Sequence, residues 1–210
     1  GASFIYVDYV SQSNNGRVNL IIDNNTFSQN SYCGMETYVE LFYQYYHAFQ
    51  GVNYTVGSGG GLSLNLAQQG YPLYIDVQRS SFKNNTATFG SAASIYWYAG
   101  LQDTHITFSD CDFSQNGLAQ YSQGSQATFV QGGVLVLKDL VVPSRPWPGN
   151  LSHPNTLVFL RSKFSSNSGF LGSGILITSQ YSVIPNNADS ILLDSCQFED
   201  NTATAGSALY

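Results

Sequence analysis

Charge is scarce in this sequence: only 10% of its 210 residues are Asp, Glu, Lys or Arg, and the formal net charge is −6. So few basic side chains argue against a patch that binds nucleic acid or anionic lipid. No apolar run is long enough to span a bilayer as a helix. The opening GASFIYVDYV also lacks the basic start and cleavage pattern of a secretory signal peptide. We expect no nucleic-acid partner and no direct membrane insertion.

Residues that carry catalytic or metal chemistry are few and scattered. The three cysteines are Cys33, Cys111 and Cys196. An odd number does not complete a disulfide framework, and none lies in a CxxC pair. The three histidines share no ligand spacing, and GxSxG, Cys-His and phosphate-loop motifs are missing. We therefore predict no catalytic residue, no metal site and no cofactor.

What the sequence has instead is aromatic, small and turn-forming residues. Aromatics make up 14% of the chain, with 15 Tyr and 13 Phe, and there are 20 Gly. Together with many Asn and Ser residues, this composition favours strands and turns over helices.

Two phrases recur along the chain. The first, Phe-x-x-Asn, occurs five times, at Phe27, Phe82, Phe113, Phe164 and Phe198, followed by Asn30, Asn85, Asn116, Asn167 and Asn201. The second is a glycine phrase: GGGL, GSAASI, GGVL, GSGI and GSAL follow the five copies, and the chain opens with GASF. Such recurrence indicates a repeat architecture.

The residues before each Phe alternate with period two, which is typical of a strand with one buried face. Small residues two positions before each Phe indicate a bend, after which the Phe column points inward. We predict that the five Phe residues are almost fully buried. We also predict that the five Asn residues occupy a second bend, where left-handed backbone is tolerated, and hydrogen-bond as a ladder. A third inward column is predicted at Phe4, Leu62, Ile95, Leu135, Ile175 and Leu209.

These patterns predict an all-β fold, a right-handed parallel β-helix of about five coils stacked roughly 4.8 Å apart. Residues 1–210 form one such segment, which we expect to be an excerpt or repeat unit of a longer solenoid. The unequal spacing of the phrases places loop insertions at about 32–58, 117–131 and 138–156. Because no cap protects either end, we expect end-to-end association.

The paired phrases resemble the FxxN and GGA[ILV] repeats of the polymorphic outer-membrane protein family, which are bacterial surface adhesins. The resemblance covers nearly the whole chain outside the insertions and implies a right-handed parallel β-helix at a cell surface. It implies no site residues, because these phrases build coils.

Four Asn-x-Ser/Thr sequons are candidate glycosylation sites: Asn24, Asn53, Asn84 and Asn150. Asn24 and Asn84 fall at outward positions of the repeat, and the other two lie in insertions. None belongs to the predicted Asn ladder, so we predict that they carry glycan in a secreted protein.

An aromatic stretch, YVELFYQYYHAF, lies in the first insertion. It is either a local element that covers the coil or a contact surface for a protein or sugar. The candidate contact residues are Tyr38, Leu41, Tyr43, Tyr45, Tyr46 and Phe49.

Charged residues also recur at one repeat position. Arg79, Asp110 and Arg161 should form one outward column, with Asp112 and Lys163 as a neighbouring pair. The alternatives are a surface charge ladder and a polysaccharide lyase site, which would need several carboxylates converging on calcium. The neighbouring repeats offer Asn24 and Ser195 at that position instead.

The sequence thus predicts a non-catalytic extracellular or cell-surface glycoprotein, a rigid structural or adhesive β-helix that is a candidate filament subunit. Its partners would be itself, end to end, or other extracellular proteins or glycans. The alternative is a polysaccharide-active enzyme, lyase or hydrolase, or a carbohydrate-binding module on the same fold.

Overall fold

The computed structural model of the chain describes residues 3–7, 18–32, 60–66, 72–87, 90–98, 103–117, 133–140, 155–179 and 189–209. These residues form strands and turns and contain no helix, so the fold is all-β, as the composition predicted. The described strands are, in chain order, β1 (Ser3–Val7), β2 (Val18–Asp23), β3 (Thr26–Ser28), β4 (Ser31–Tyr32), β5 (Leu62–Leu66), β6 (Leu73–Gln78), β7 (Ser81–Lys83), β8 (Thr86–Ala87), β9 (Ala93–Tyr98), β10 (Thr104–Ser109), β11 (Asp112–Ser114), β12 (Val134–Leu140), β13 (Thr156–Leu160), β14 (Lys163–Ser165), β15 (Ser168–Leu171), β16 (Ile175–Ser179), β17 (Ser190–Asp194), β18 (Gln197–Glu199) and β19 (Thr202–Ala205).

The strands form parallel sheets, and each of the three five-stranded sheets takes one strand from every repeat. The first sheet has the order β1-β5-β9-β12-β16, the second β17-β13-β10-β6-β2 and the third β18-β14-β11-β7-β3. Two smaller sheets pair β4 with β8 and β15 with β19. Each strand therefore pairs with its equivalent in the next repeat and not with its neighbour in sequence.

The second sheet shows the period-two alternation that the sequence predicted. In β6, Leu73, Ile75 and Val77 are buried, and the residues between them are half-buried. The register sets Ile106 beside Ile75 and Phe108 beside Val77, so the apolar residues form continuous columns. Full burial of each such side chain stabilises the fold by about 1.5–3 kcal/mol.

The third sheet places the five Phe residues in one column. Phe82, Phe113 and Phe164 are completely buried, and Phe27 is 8% exposed. Their rings stack on one another at centroid distances of 4.7–4.8 Å. Phe198 departs from the predicted full burial and is half-buried, because β18 is an edge strand with no described strand beyond it.

The predicted third column is only partly right. In the first sheet, Leu62 and Ile175 share a row with Ala93 and Val134, and Ile175 bridges to Leu209. The other predicted members lie one or two positions further along their strands. Phe4 pairs with Ser63, Leu135 with Ser94, and Ile95 lies in the next inward row. The prediction erred because it aligned the largest side chain of each phrase, and the extra residue in GSAASI shifts that side chain.

The first sheet is buried on both faces where its strands begin. Leu62 and Leu64 face the core, but the alternate residue Ser63 is only 2% exposed. The equivalent outer residues Ser94, Leu135 and Leu176 are buried too. This sheet therefore does not present a solvent-exposed face there, unlike the second sheet.

Glycine is required where the first sheet begins. Gly133 adopts φ +67°, and a Cβ there would lie 2.1 Å from the carbonyl oxygen of Gly174. At Gly61 a Cβ would lie 2.6 Å from the carbonyl oxygen of Ala92. The glycine phrase thus permits the close approach of successive backbones.

The predicted insertions fall largely outside the described residues. The predicted insertion 138–156 is too long at both ends. Strand β12 continues to Leu140, and Asn155 and Thr156 already belong to the next repeat. Gly117 bridges to Thr86 and so belongs to the repeat that precedes insertion 117–131.

Candidate interaction surface

A ladder of asparagine amides runs through the interior beside the third sheet. Oδ1 of Asn116 accepts hydrogen bonds from the backbone N–H and from Nδ2 of Asn85, both at 3.0 Å. Nδ2 of Asn116 donates to the carbonyl oxygen of Phe82 at 2.8 Å and to Oδ1 of Asn167. The same contacts join Asn30 to Asn85 and Asn167 to Asn201. Each amide thus satisfies backbone groups that burial would otherwise leave unpaired.

The ladder residues do not themselves take the left-handed backbone that the sequence suggested. The residue before each of them does, with φ between 51° and 57°: Gln29, Asn84, Gln115, Ser166 and Asp200. A second left-handed column marks the first bend: Asn24, Arg79, Asp110, Arg161 and Ser195. The exposed residue therefore makes the turn, which frees the next side chain to point inward.

Small hydrogen-bonding side chains fill the first bend. Oγ of Ser80 donates to the carbonyl oxygen of Gln78 at 2.8 Å, and Oγ of Ser162 donates to that of Leu160 at 3.1 Å. The thiols make equivalent contacts: Sγ of Cys111 lies 3.4 Å from the carbonyl oxygen of Ser109, two residues earlier, and Sγ of Cys196 lies 3.3 Å from that of Phe159 in the preceding repeat, as Oγ of Ser162 lies 3.3 Å from that of Phe108. Serine and cysteine therefore alternate here because both donate a hydrogen bond from a small side chain.

Both described cysteines are free thiols, and Ser162 stands between them in the column. Cys111 is buried, and Cys196 is half-buried because it lies at the edge of the stack. Cys33 lies outside the described residues. Burial raises the pKa of the Cys111 thiol to about 11, and burial also raises the pKa of Cys196.

These thiols should differ in reactivity. In native protein at about pH 8, we expect iodoacetamide to modify Cys196 slowly and to leave Cys111 unmodified, since the thiolate is the reactive form. Peptide mass mapping with and without denaturant measures both. Equal native rates at the two sites would contradict the described burial.

The charged column is a set of exposed ion pairs. Nε and Nη2 of Arg161 each lie 2.8 Å from a carboxylate oxygen of Asp110. The Arg161 guanidinium therefore holds the pKa of Asp110 below its ordinary value. Arg79 pairs with Asp23, one repeat earlier. The signs alternate along this column, which is typical of a surface charge ladder.

The predicted pair of Asp112 with Lys163 is a register pair but not an ion pair. Nζ of Lys163 lies 2.7 Å from Oε2 of Glu199, on the strand beyond. Asp112 accepts a hydrogen bond from Oγ of Ser114 at 3.2 Å. The lysine side chain leans towards the later repeat, which sequence spacing could not have shown.

Two further polar arrangements were missed in the sequence. On the outer face of the second sheet, the rings of Tyr74 and His105 stack at 4.7 Å. Nε2 of His105 lies 2.9 Å from Oδ1 of Asp103, which has φ +54°. The only available signal was the equivalent position of Tyr74 and His105, each directly before an inward isoleucine, Ile75 or Ile106.

The second missed arrangement is a short ladder where the second sheet begins. Oδ1 of Asn155 accepts from the backbone N–H of Thr104 at 3.0 Å. Oδ1 of Asp189 accepts from the backbone N–H and from Nδ2 of Asn155. Its three members are of different residue types, so no recurring residue in the sequence indicated this ladder.

Two of the four candidate glycosylation sites lie among the described residues. Asn24 and Asn84 are exposed, each in one of the two left-handed columns. Asn53 and Asn150 lie outside the described residues, as do all six candidate contact residues of the aromatic insertion.

Among the described residues, no three His, Cys, Asp or Glu side chains lie close enough together to hold a metal ion. The same residues form no helix that is long and apolar enough to cross a membrane. Comparisons with protein-family models, with curated proteins and with solved structures find no match to this chain. The resemblance to the polymorphic outer-membrane protein family stays a prediction.

Proposed function

We propose that the chain winds as a right-handed parallel β-helix, each repeat forming one coil. The support is the order of the strands. After β1, each repeat visits the second sheet, then the third, then the short strand position, then the first sheet. All the pairings are parallel, and parallel crossovers are right-handed in about 98% of cases.

The function that we propose is a non-catalytic structural or adhesive one, as a rigid extracellular glycoprotein. The observation that carries it is the asparagine ladder, which continues through Asn30, Asn85, Asn116, Asn167 and Asn201 without a break. A polar network whose inner amides are buried and use both Oδ1 and Nδ2 makes the stacked repeats one stiff unit. Stiffness suits a protein that holds loops or partners at a set spacing.

The absence of turnover is testable directly. The purified chain is incubated with a panel of neutral and acidic polysaccharides, and new reducing ends and unsaturated uronates are measured. We expect no product above that of the heat-denatured chain. Product formation at a rate proportional to protein concentration would contradict the proposal and favour the polysaccharide-active alternative.

The extracellular part of the proposal rests on the exposed sequons. When the chain is expressed through a eukaryotic secretory route, we expect glycan on Asn53 and Asn150, and also on Asn24 and Asn84, whose side chains are exposed. Glycopeptide mass spectrometry checks this, with Asn→Gln variants at each site as controls. Four unmodified side chains in secreted protein would contradict it.

A further inference from the structure

A histidine on the outer face of the second sheet is held from three directions. His105 belongs to β10, an inner strand of that sheet that lies between β6 and β13. Nε2 of its ring lies 2.9 Å from Oδ1 of Asp103, and Nδ1 lies 2.7 Å from Oγ1 of Thr156 on β13. From β6, the ring of Tyr74 stacks on the imidazole at a centroid distance of 4.7 Å. Both ring nitrogens therefore have a polar neighbour, and the ring has little freedom to turn.

These contacts are compatible with only one neutral form of the imidazole. A carboxylate can only accept hydrogen bonds, so Nε2 of His105 carries the proton and donates it to Asp103. Nδ1 is then left with a lone pair, and the hydroxyl of Thr156 must donate to it. The hydroxyl proton of Thr156 therefore already points at a base.

A carboxylate, an imidazole and a hydroxyl in this order are the arrangement of an activated nucleophile. A hydroxyl becomes reactive when a neighbouring base takes its proton and a third group orients that base. The group is open to small molecules, because the side chains of His105 and Asp103 are 30% and 35% exposed and Thr156 is half-buried. Its geometry thus favours attack by Oγ1 of Thr156 on an electrophile from the solvent.

The surroundings of Thr156 differ from those of an esterase nucleophile. β13 pairs with β10 on one side and with β17 on the other, so its backbone N–H groups are committed to the sheet. Free backbone N–H donors would be needed to stabilise an oxyanion during rapid turnover, and the described residues on these three strands do not present them. We therefore expect slow transfer of an acyl group to the hydroxyl, without rapid release.

We propose that Thr156 is a covalent acceptor site for activated acyl groups, with His105 as its general base and Asp103 as the positioning residue of that base. This inference goes beyond the structural function proposed above. Oγ1 of Thr156 bonds to the acyl carbon of an aryl ester or thioester and gives its proton to Nδ1 of His105. The bond from the acyl carbon to the leaving oxygen or sulfur breaks, and the leaving group departs with the electron pair. The imidazolium then returns its proton to the leaving group or to water.

Acetylation by p-nitrophenyl acetate tests the site in the native chain. Peptide mass mapping locates the acetyl groups, and alkaline hydroxylamine removes those held as esters but not those on amines. Thr107 is the internal control, since it lies on the same sheet face with Asp76 and Val158 as register partners, neither of which is a histidine. General-base catalysis contributes about 10²–10⁴-fold, so we expect Thr156 to react at least about tenfold faster than Thr107. Equal rates at the two threonines would overturn the proposal.

Substitutions separate the roles of the three groups. Thr156→Ser keeps the hydroxyl and should keep the fast acetylation at that position. His105→Phe keeps an aromatic ring against Tyr74 but removes the base, and it should slow acetylation of Thr156 at least about tenfold. Undiminished acetylation of Thr156 in His105→Phe would overturn the proposal.

The tautomer of His105 gives a readout that a purely structural role of Asp103 would not change. Asp103→Asn suits the left-handed backbone at φ +54°, but its amide can donate to Nε2 and so favour the form with the proton on Nδ1. In nitrogen NMR, we expect the Nε2–H form in the native chain, assigned by its loss in His105→Phe, and a shift towards the Nδ1–H form in Asp103→Asn. Acetylation of Thr156 should slow in the same variant. A native chain that holds His105 in the Nδ1–H form would overturn the proposal.

Discussion

Replacing Phe113 with alanine is expected to lower the free energy of unfolding by about 3–5 kcal/mol. The ring is completely buried and stacks between Phe82 at 4.8 Å and Phe164 at 4.7 Å. Phe108 and Phe159 contact it edge-on from the second sheet. Its removal would leave a cavity that cannot collapse, because strands on both sides hold its neighbours in register. Urea denaturation followed by circular dichroism measures the loss.

The matched control is Phe198→Ala at the edge of the same column. Phe198 stacks only on Phe164 and is half-buried, so its replacement should cost clearly less than that of Phe113. Phe113→Leu keeps most of the apolar volume and should lie between wild type and Phe113→Ala. Equal losses at Phe113 and Phe198 would contradict a continuous buried column.

Asn116→Ala is expected to cost about 3 kcal/mol or more, because several buried polar groups lose their partners at once. The backbone N–H and Nδ2 of Asn85 would lose the Oδ1 acceptor, and the carbonyl oxygen of Phe82 would lose its donor. Water cannot replace them easily, since Asn116 is 1% exposed. The same denaturation experiment measures the cost.

Asn201→Ala is the control for the ladder. It removes the Oδ1 acceptor for Asn167 and the Nδ2 donor to the carbonyl oxygen of Phe164, at a half-buried position that water can reach. We expect a loss at most half of that at Asn116. If Asn116→Ala were as stable as wild type, the ladder would contribute little, and the proposed stiffness would lose its main support.

Much of the fold could be predicted because the same residue type recurs at the equivalent position of each repeat. Phe82, Phe113 and Phe164 keep one residue type in one phase, so burial and stacking followed from their spacing alone. The Asn positions were equally clear, because amide-to-amide hydrogen bonding requires the same side chain on every repeat.

Features built from unlike residues could not be predicted in the same way. The ladder of Thr104, Asn155 and Asp189 combines a backbone donor, an amide and a carboxylate, so no residue type recurs in it that a sequence pattern could reveal. The sequence also could not predict in which direction a long charged side chain points. Arg79 turns back to Asp23, and Lys163 reaches forward to Glu199, although sequence position placed each beside a different partner.

The central claim, that equivalent strands of successive repeats stack in parallel order, is tested most directly by one distance. Thr26 and Gln197 are exposed residues on the two outer strands of the third sheet, in one column through Ser81, Asp112 and Lys163. Cys33, Cys111 and Cys196 are replaced with serine, spin labels are attached to Thr26→Cys and Gln197→Cys in that variant, and the labelled chain is diluted with unlabelled chain. Four strand spacings predict α-carbons about 19 Å apart, with one narrow distance distribution from double electron–electron resonance. A broad distribution, or one centred beyond about 30 Å, would contradict the stacked parallel arrangement.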